Sequence, residues 1–258
     1  MTSTWKIPVL AVFLAIVFTT SMDATGLSNY SAFALLPLLV IFWLWQRLSR
    51  REAGFVWGGA KYYGLAVLHP VIVIGAIAGI GFAMRATDLS GASGKKIVIN
   101  LVSLTVATFL VALITEEGFF RGYLWGALRR TGLSDVQVLV WTSVGFAAWH
   151  ISAVVLPTGF NPPKEEIPVF LINATVIGAI WGMLRWLSGS VVVTSLCHGL
   201  WNGVDYVLFG FGAHKGALGI QQTSIFGPEN GYLGLGANLA FAAALWFAVV
   251  RRRPHAIG

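Results

Sequence analysis

The chain has 258 residues, of which 57% are hydrophobic and 10% charged, with a formal net charge of +7. Soluble domains carry about 25% charged residues, so a water-soluble globular protein is excluded. The basic excess is no nucleic-acid signal, because it sits in short loops and at the C-terminus, where membrane helices are anchored.

Apolar runs long enough to cross a bilayer predict eight spans, at about 6–22, 31–47, 63–84, 97–128, 135–155, 167–187, 190–210 and 233–250. The alternating pattern of a membrane barrel is absent. The expected fold is all-α: a polytopic helical bundle of about eight transmembrane helices, with one membrane domain over 1–258. The first span has Lys6 and an apolar run but no A-x-A site before Asp23, so a retained helix is a simpler reading than a cleaved signal. The third span carries His69, expected to make a helix–helix hydrogen bond. The fourth is long, because its helical pattern runs through EEGFFRG to Arg129 and Arg130. Along it Gly118, Gly122 and Gly126 form a row at which another helix can approach closely, and gaps beside the row would admit a substrate laterally.

The fifth span ends in FAAWH, and the loop PTGFNPPKEEIP after it places Glu165 and Glu166 in solvent. The seventh contains HGLWN, with Asp205 in a structural role and Cys197 as a buried, inert thiol. A single cysteine rules out an intrachain disulfide. With the N-terminus inside, the inner side holds Lys6, Arg47, Arg50, Arg51, Lys61, Arg121, Arg129, Arg130, Arg185, Arg251, Arg252 and Arg253. The outer side holds Arg85, Lys95, Lys96, Lys164 and Lys215. That bias predicts cytoplasmic termini.

Ionisable residues inside spans face a cavity or a partner. At 1.5 Å per helical residue, Glu116, His150 and His198 each lie about 20 Å from the inner end of their helices, so three helices bring polar groups to a similar depth. Glu117 and Arg121 are four residues apart and share a face, which suits a buried ion pair. Glu116 points about 100° away and is left for a cavity, where it suits a general base. Phe146 and His150 share a face, as do His198 and Asn202. A glutamate and a histidine can position and deprotonate water, and a histidine with an asparagine amide can stabilise an oxyanion. The same Glu116, His150 and His198 could instead ligate zinc or another divalent metal.

The ordered set EEGFFR, FAAWH and HGLWN resembles the CPBP family of intramembrane proteases, whose pattern is EExxxR, FxxxH and HxxxN. The resemblance covers about residues 97–210, the expected catalytic core. It implies Glu116 as the base for an attacking water with His150 assisting, and His198 and Asn202 as oxyanion stabilisers. Glu117, Arg121 and Phe146 would support them. No cofactor is favoured, since no HExxH zinc motif occurs. No GxGD motif occurs either. The family implies a membrane-embedded or membrane-proximal polypeptide substrate: a prenylated CAAX tail, a precursor peptide, or an anchored C-terminal sorting signal, the last kind favoured. The partners expected are that substrate and the lipid bilayer, with no nucleic acid, in a bacterial inner membrane. A proton-coupled transporter would use the same residues as a relay, but neither an inverted repeat nor paired broken helices is present. A non-catalytic scaffold is the other alternative.

Overall fold

The computed structural model describes residues 5–251. Its helices are α1 (Lys6–Ala24), α2 (Leu35–Gln46, entered through a 3-10 turn at Ser28–Ala34), α3 (Ala60–Ala83), α4 (Gly94–Ile114), α5 (Trp125–Arg130), α6 (Asp135–Trp149), α7 (Ile151–Val155), α8 (Ile167–Ser188), α9 (Val191–Leu208), α10 (Thr223–Phe226) and α11 (Tyr232–Arg251). A two-residue antiparallel hairpin pairs β1 (Gly210–Phe211) with β2 (His214–Lys215). The protein is a polytopic all-α membrane bundle.

Seven stretches of the described residues are long and apolar enough to span a membrane. The expected eighth, α9, is not among them, because its 18 residues include His198, Asn202 and Asp205. It is surrounded by protein: α4 lies along one side, α3 and α8 along others. Gly199 permits the α4 contact, since a Cβ there would sit 2.8 Å from the backbone nitrogen of Phe109. By contrast α4 turns Val98, Val102, Val106 and Leu110 outward, each more than half exposed, as a lipid-facing side requires.

The long fourth span is not one uniform helix. After Ile114 the backbone leaves α geometry at Thr115 (φ −118°, ψ −97°), and Gly118–Leu124 forms a π-helical turn before α5. π-turns inserted in α-helices recur at functional sites, and here the turn begins within EEGFFRG and runs two residues past it.

The glycine row also differs from expectation. A Cβ on Gly122 would lie 3.2 Å from the carbonyl oxygen of Ala53, and one on Gly126 2.8 Å from that of Glu52. At these two positions the backbone of the α2–α3 loop approaches, whereas at Gly118 it is Leu39 of α2, a helix as expected; the row is buried, so it offers no lateral route from lipid. Arg130 clamps this loop through Glu52, with Nε–Oε1 2.6 Å and Nη2–Oε2 2.7 Å, and donates Nη1 to the Gln46 carbonyl at 2.6 Å. The hydrogen bonds from Arg130 hold the Glu52 carboxyl down at about 2. From α8, Arg185 adds Nε to the Arg121 carbonyl (2.8 Å) and Nη2 to the Glu52 carbonyl (2.9 Å).

Local signals set the helix ends around the site. Ser134 and Gln137 form a capping box at the start of α6. Gly189 ends α8 at φ +68°, the left-handed conformation glycine adopts freely. His69 accepts its sequence role: its Nε2 is 2.9 Å from Asn238 Oδ1 on α11, its Nδ1 is 3.4 Å from Cys197 Sγ, and its ring stacks on Trp201. Glu166 departs from the solvated reading, for it is buried and accepts from Thr223 Oγ1 at 2.8 Å and from Asn230. Glu165 is exposed, as expected.

The glycine contacts predict a contrast. Gly126→Ala meets fixed backbone and should lower stability by about 1–2 kcal/mol, whereas Gly79→Ala, with open space around it, should leave it unchanged or raise it slightly. Thermal unfolding of both variants in the same detergent checks this.

Candidate active site

The three motifs meet at the heart of the bundle. Glu117 stands just before the π-turn and Arg121 within it. Arg121 Nη1 donates to Glu117 Oε1 at 3.0 Å, and both side chains are fully buried. Arg121 Nη2 donates to the carbonyl of Gly178 on α8 at 3.1 Å. That approach needs a glycine, since a Cβ at position 178 would lie 3.2 Å from Nη2. The guanidinium lies over the rings of Phe146 and Trp181, 4.2 and 5.5 Å from their centroids. One cation thus joins the π-turn, α6 and α8.

The ion pair in turn orients a histidine. His198 Nδ1 lies 3.2 Å from Glu117 Oε1. A carboxylate only accepts, so Nδ1 carries a proton, and in the neutral ring Nε2 is left with its lone pair. The ring is held flat against Trp181, with centroids 4.3 Å apart. His150, at the C-cap of α6, is set the same way: its Nδ1 is 2.9 Å from the Phe146 carbonyl, another pure acceptor. The F-x-x-x-H spacing therefore has two uses. Phe146 gives its ring to Arg121 and its carbonyl to His150.

Both Nε2 atoms face Glu116. Its Oε2 is 3.8 Å from His198 Nε2 and 3.9 Å from His150 Nε2. Three acceptor atoms converge with no donor of their own, at separations too long for direct hydrogen bonds. A water molecule, with two protons to share, suits such a set of acceptors. Tetrahedral zinc fits less well, because bonds of about 2.0 Å put ligand atoms about 3.3 Å apart. Among the described residues no three His, Cys, Asp or Glu side chains are grouped to hold a metal ion.

Glu116, His150, His198 and Asn202 line one cavity of about 190 Å³, together with Trp181 and Phe146. It reaches towards the end of the bundle where α1, α6 and α9 finish and α8 begins, with buried Asp23 and Ser31 in its lining and Phe160 and Phe211 at the more exposed mouth. Glu117 and Arg121 are not in the lining; they sit behind it. The first helix belongs to this wall: Thr19 accepts from Trp149 Nε1 at 2.8 Å, and Thr19 and Asp23 both line the cavity.

Sequence reasoning missed Glu229. It lies in the loop before α11, lines the same cavity, and accepts from Trp201 Nε1 at 3.0 Å. Burial pushes its carboxyl well above the usual carboxylate range, to about 7. The only local signal was a carboxylate inside the turn sequence GPENG, outside every motif. Trp181 and Tyr206 were likewise unreadable as wall residues, because aromatic side chains are common along the whole chain.

Residues 98–204 match the profile of a family described as type II CAAX prenyl endopeptidase, Rce1-like. No curated protein matches the chain. The matched stretch contains all three motifs. It bears out the resemblance to the CPBP family and, with the membrane helices, supports a membrane protease at the family level.

The buried pair yields a stability prediction. Glu117→Leu or Arg121→Met alone strands one buried charge and should cost about 3–5 kcal/mol. The double variant should recover a good part of that loss. A double-mutant cycle on thermal stability in detergent measures it, and additive losses would show that the pair does not act as a unit.

Proposed function

We propose that the protein is an intramembrane endopeptidase in which Glu116, His150 and His198 activate a water molecule without a metal. The carrying observation is the convergence of Glu116 Oε2 with the Nε2 atoms of His198 and His150 at 3.8 and 3.9 Å inside a cavity. A water in that gap donates one proton towards Glu116 and the other towards a histidine, which aims an oxygen lone pair into the cavity. A peptide bond presented there is attacked at its carbonyl carbon. Glu116 takes the proton from the water, the new C–O bond forms, and the carbonyl oxygen becomes an oxyanion.

Asn202 supplies a donor for that oxyanion, since its side-chain amide on the cavity wall is a neutral N–H source. His198 donates from Nε2 only once it has taken up a proton. In that state it adds to the stabilisation, with Glu117 holding its other nitrogen. When the C–N bond breaks, the proton held by Glu116 passes to the leaving amine, directly or through His150, and the site returns to its resting charge. Glu117, Arg121 and Phe146 touch no reacting atom in this scheme. They are positioning residues that set the two imidazole tautomers.

The substrate favoured by this reading is a membrane-anchored or membrane-proximal polypeptide cut near its C-terminal signal. The cavity is too small to house a folded domain, so the substrate enters as a locally extended segment.

Glu116→Gln should lower cleavage by about a hundred- to ten-thousand-fold, the usual contribution of a general base, with an unchanged melting temperature. Comparing membrane proteomes of cells carrying wild-type and Glu116→Gln protein at equal expression should reveal a precursor that accumulates only in the variant. Equal processing in both would overturn the proposal. Cleavage in isolated membranes should also persist when a zinc chelator such as phenanthroline is added. Loss on chelation with return on adding zinc would reassign Glu116, His150 and His198 as ligands.

A further inference from the structure

Two cavities adjoin at the mouth of the site. The second, of about 220 Å³, shares Phe160, Tyr206, Phe211 and Glu229 with the first. It runs between the loop 156–166 and the hairpin β1–β2, and side-chain amides of Asn161, Gln221 and Asn230 line it. The wall they share is aromatic: Phe160 stacks on Phe211 at 5.0 Å and Tyr206 packs against Phe211 at 4.7 Å. Amide side chains both donate and accept, which suits the main chain of an extended peptide more than a lipid tail.

The charge of the two ends of the bundle tells which surface this is. The mouth end carries α1–α2, α3–α4, α6–α8 and α9–α11 connections. The far end carries the others, with Arg47, Arg50, Arg51, Lys61, Arg129 and Arg130 in or beside short loops. The mouth end has five basic residues (Arg85, Lys95, Lys96, Lys164 and Lys215) against five carboxylates (Asp23, Asp88, Glu165, Glu166 and Glu229), whereas the six at the far end stand against two, Glu52 and Asp135. Short loops rich in Lys and Arg stay cytoplasmic. At the far end a cavity of about 410 Å³ lies among Arg51, Glu52, Arg129, Arg130 and Arg185, and none of Glu116, His150, His198 or Asn202 lines it. Arg130 and Arg185 clamp the α2–α3 loop onto α5, and Phe119, Phe120, Tyr123 and Trp125 are fully buried between that loop and Glu116.

Resting on the protease reading above, we infer that the site opens to the extracytoplasmic side and that its substrates are exported, membrane-anchored polypeptides, drawn in extended form through the groove beside the β1–β2 hairpin. A prenylated tail on a cytoplasmic protein would meet the basic end of the molecule.

The test uses two cysteine variants of the full-length protein. Gln221→Cys lies in the groove and Gly59→Cys at the far end; both positions are exposed, and the native Cys197 is fully buried and silent. A membrane-impermeant maleimide applied to intact cells should label Gln221→Cys at least tenfold faster than Gly59→Cys, and permeabilisation should equalise them. The reverse pattern overturns the inference whatever the protein cleaves. Precursors that accumulate in Glu116→Gln cells should carry export signals, with cut sites beyond the membrane on the extracytoplasmic side. Complete labelling of Gln221→Cys with a bulky impermeant maleimide should slow their processing at least tenfold. Cytoplasmic cut sites, or full processing after labelling, would overturn the assigned substrate or groove and leave the protease reading intact. If no precursor accumulates, the protease reading and the substrate class fall together, and the labelling pattern alone then decides the sidedness.

Discussion

Everything at the centre of this protein is arranged around a single buried charge pair, Glu117 with Arg121. A guanidinium taken out of water needs an anion, further acceptors and polarisable neighbours. Arg121 finds Glu117, the Gly178 carbonyl, and the faces of Phe146 and Trp181. Those partners come from three separate helices, so the demands of one cation fix their mutual positions. The solution is not complete: Arg121 Nε and Glu117 Oε2 have no hydrogen-bond partner among the described residues. A fully apolar plug would pack this space at lower cost. The retained charge is better understood through what it sets, the proton position on His198.

The same economy runs through the second histidine. Phe146 is an apolar core residue, yet its carbonyl decides which nitrogen of His150 faces Glu116. Backbone and π-face, rather than polar side chains, do much of the orienting. The site needs few ionisable groups beyond the three that face each other, which suits a medium in which each extra charge is expensive.

Much of this was legible in the chain itself. The four-residue spacings fixed which side chains share a face, so the Glu117–Arg121 pair and the separate direction of Glu116 follow from helix geometry alone. Depth counting brought Glu116, His150 and His198 to one level because spans start at charged anchors. Other features were not legible. Periodicity is blind to a π-turn, since one inserted residue per turn leaves a short apolar pattern almost unchanged, and so EEGFFRG read as plain helix. The glycine row revealed close approach but not what approaches; a loop backbone and a helix impose the same demand for a missing side chain. Glu166 looked like one of two solvated carboxylates because its partners, Thr223 and Asn230, lie far along the chain. Glu229 was hidden for the same reason. Loop residues acquire their surroundings from tertiary structure, and no local spacing announces it.

The dry layer formed by Phe119, Phe120, Tyr123 and Trp125 also has an electrical meaning. A water-filled cavity takes on the potential of the compartment it joins, so the membrane voltage drops across what remains dry. That remainder is the layer between Glu116 and the clamped α2–α3 loop. Each elementary charge crossing it would feel about 2.3 kcal/mol per 100 mV, whereas protons moving within the cavity feel almost none. The fold can therefore hold a wet, charged chamber deep in the bilayer while remaining an insulator.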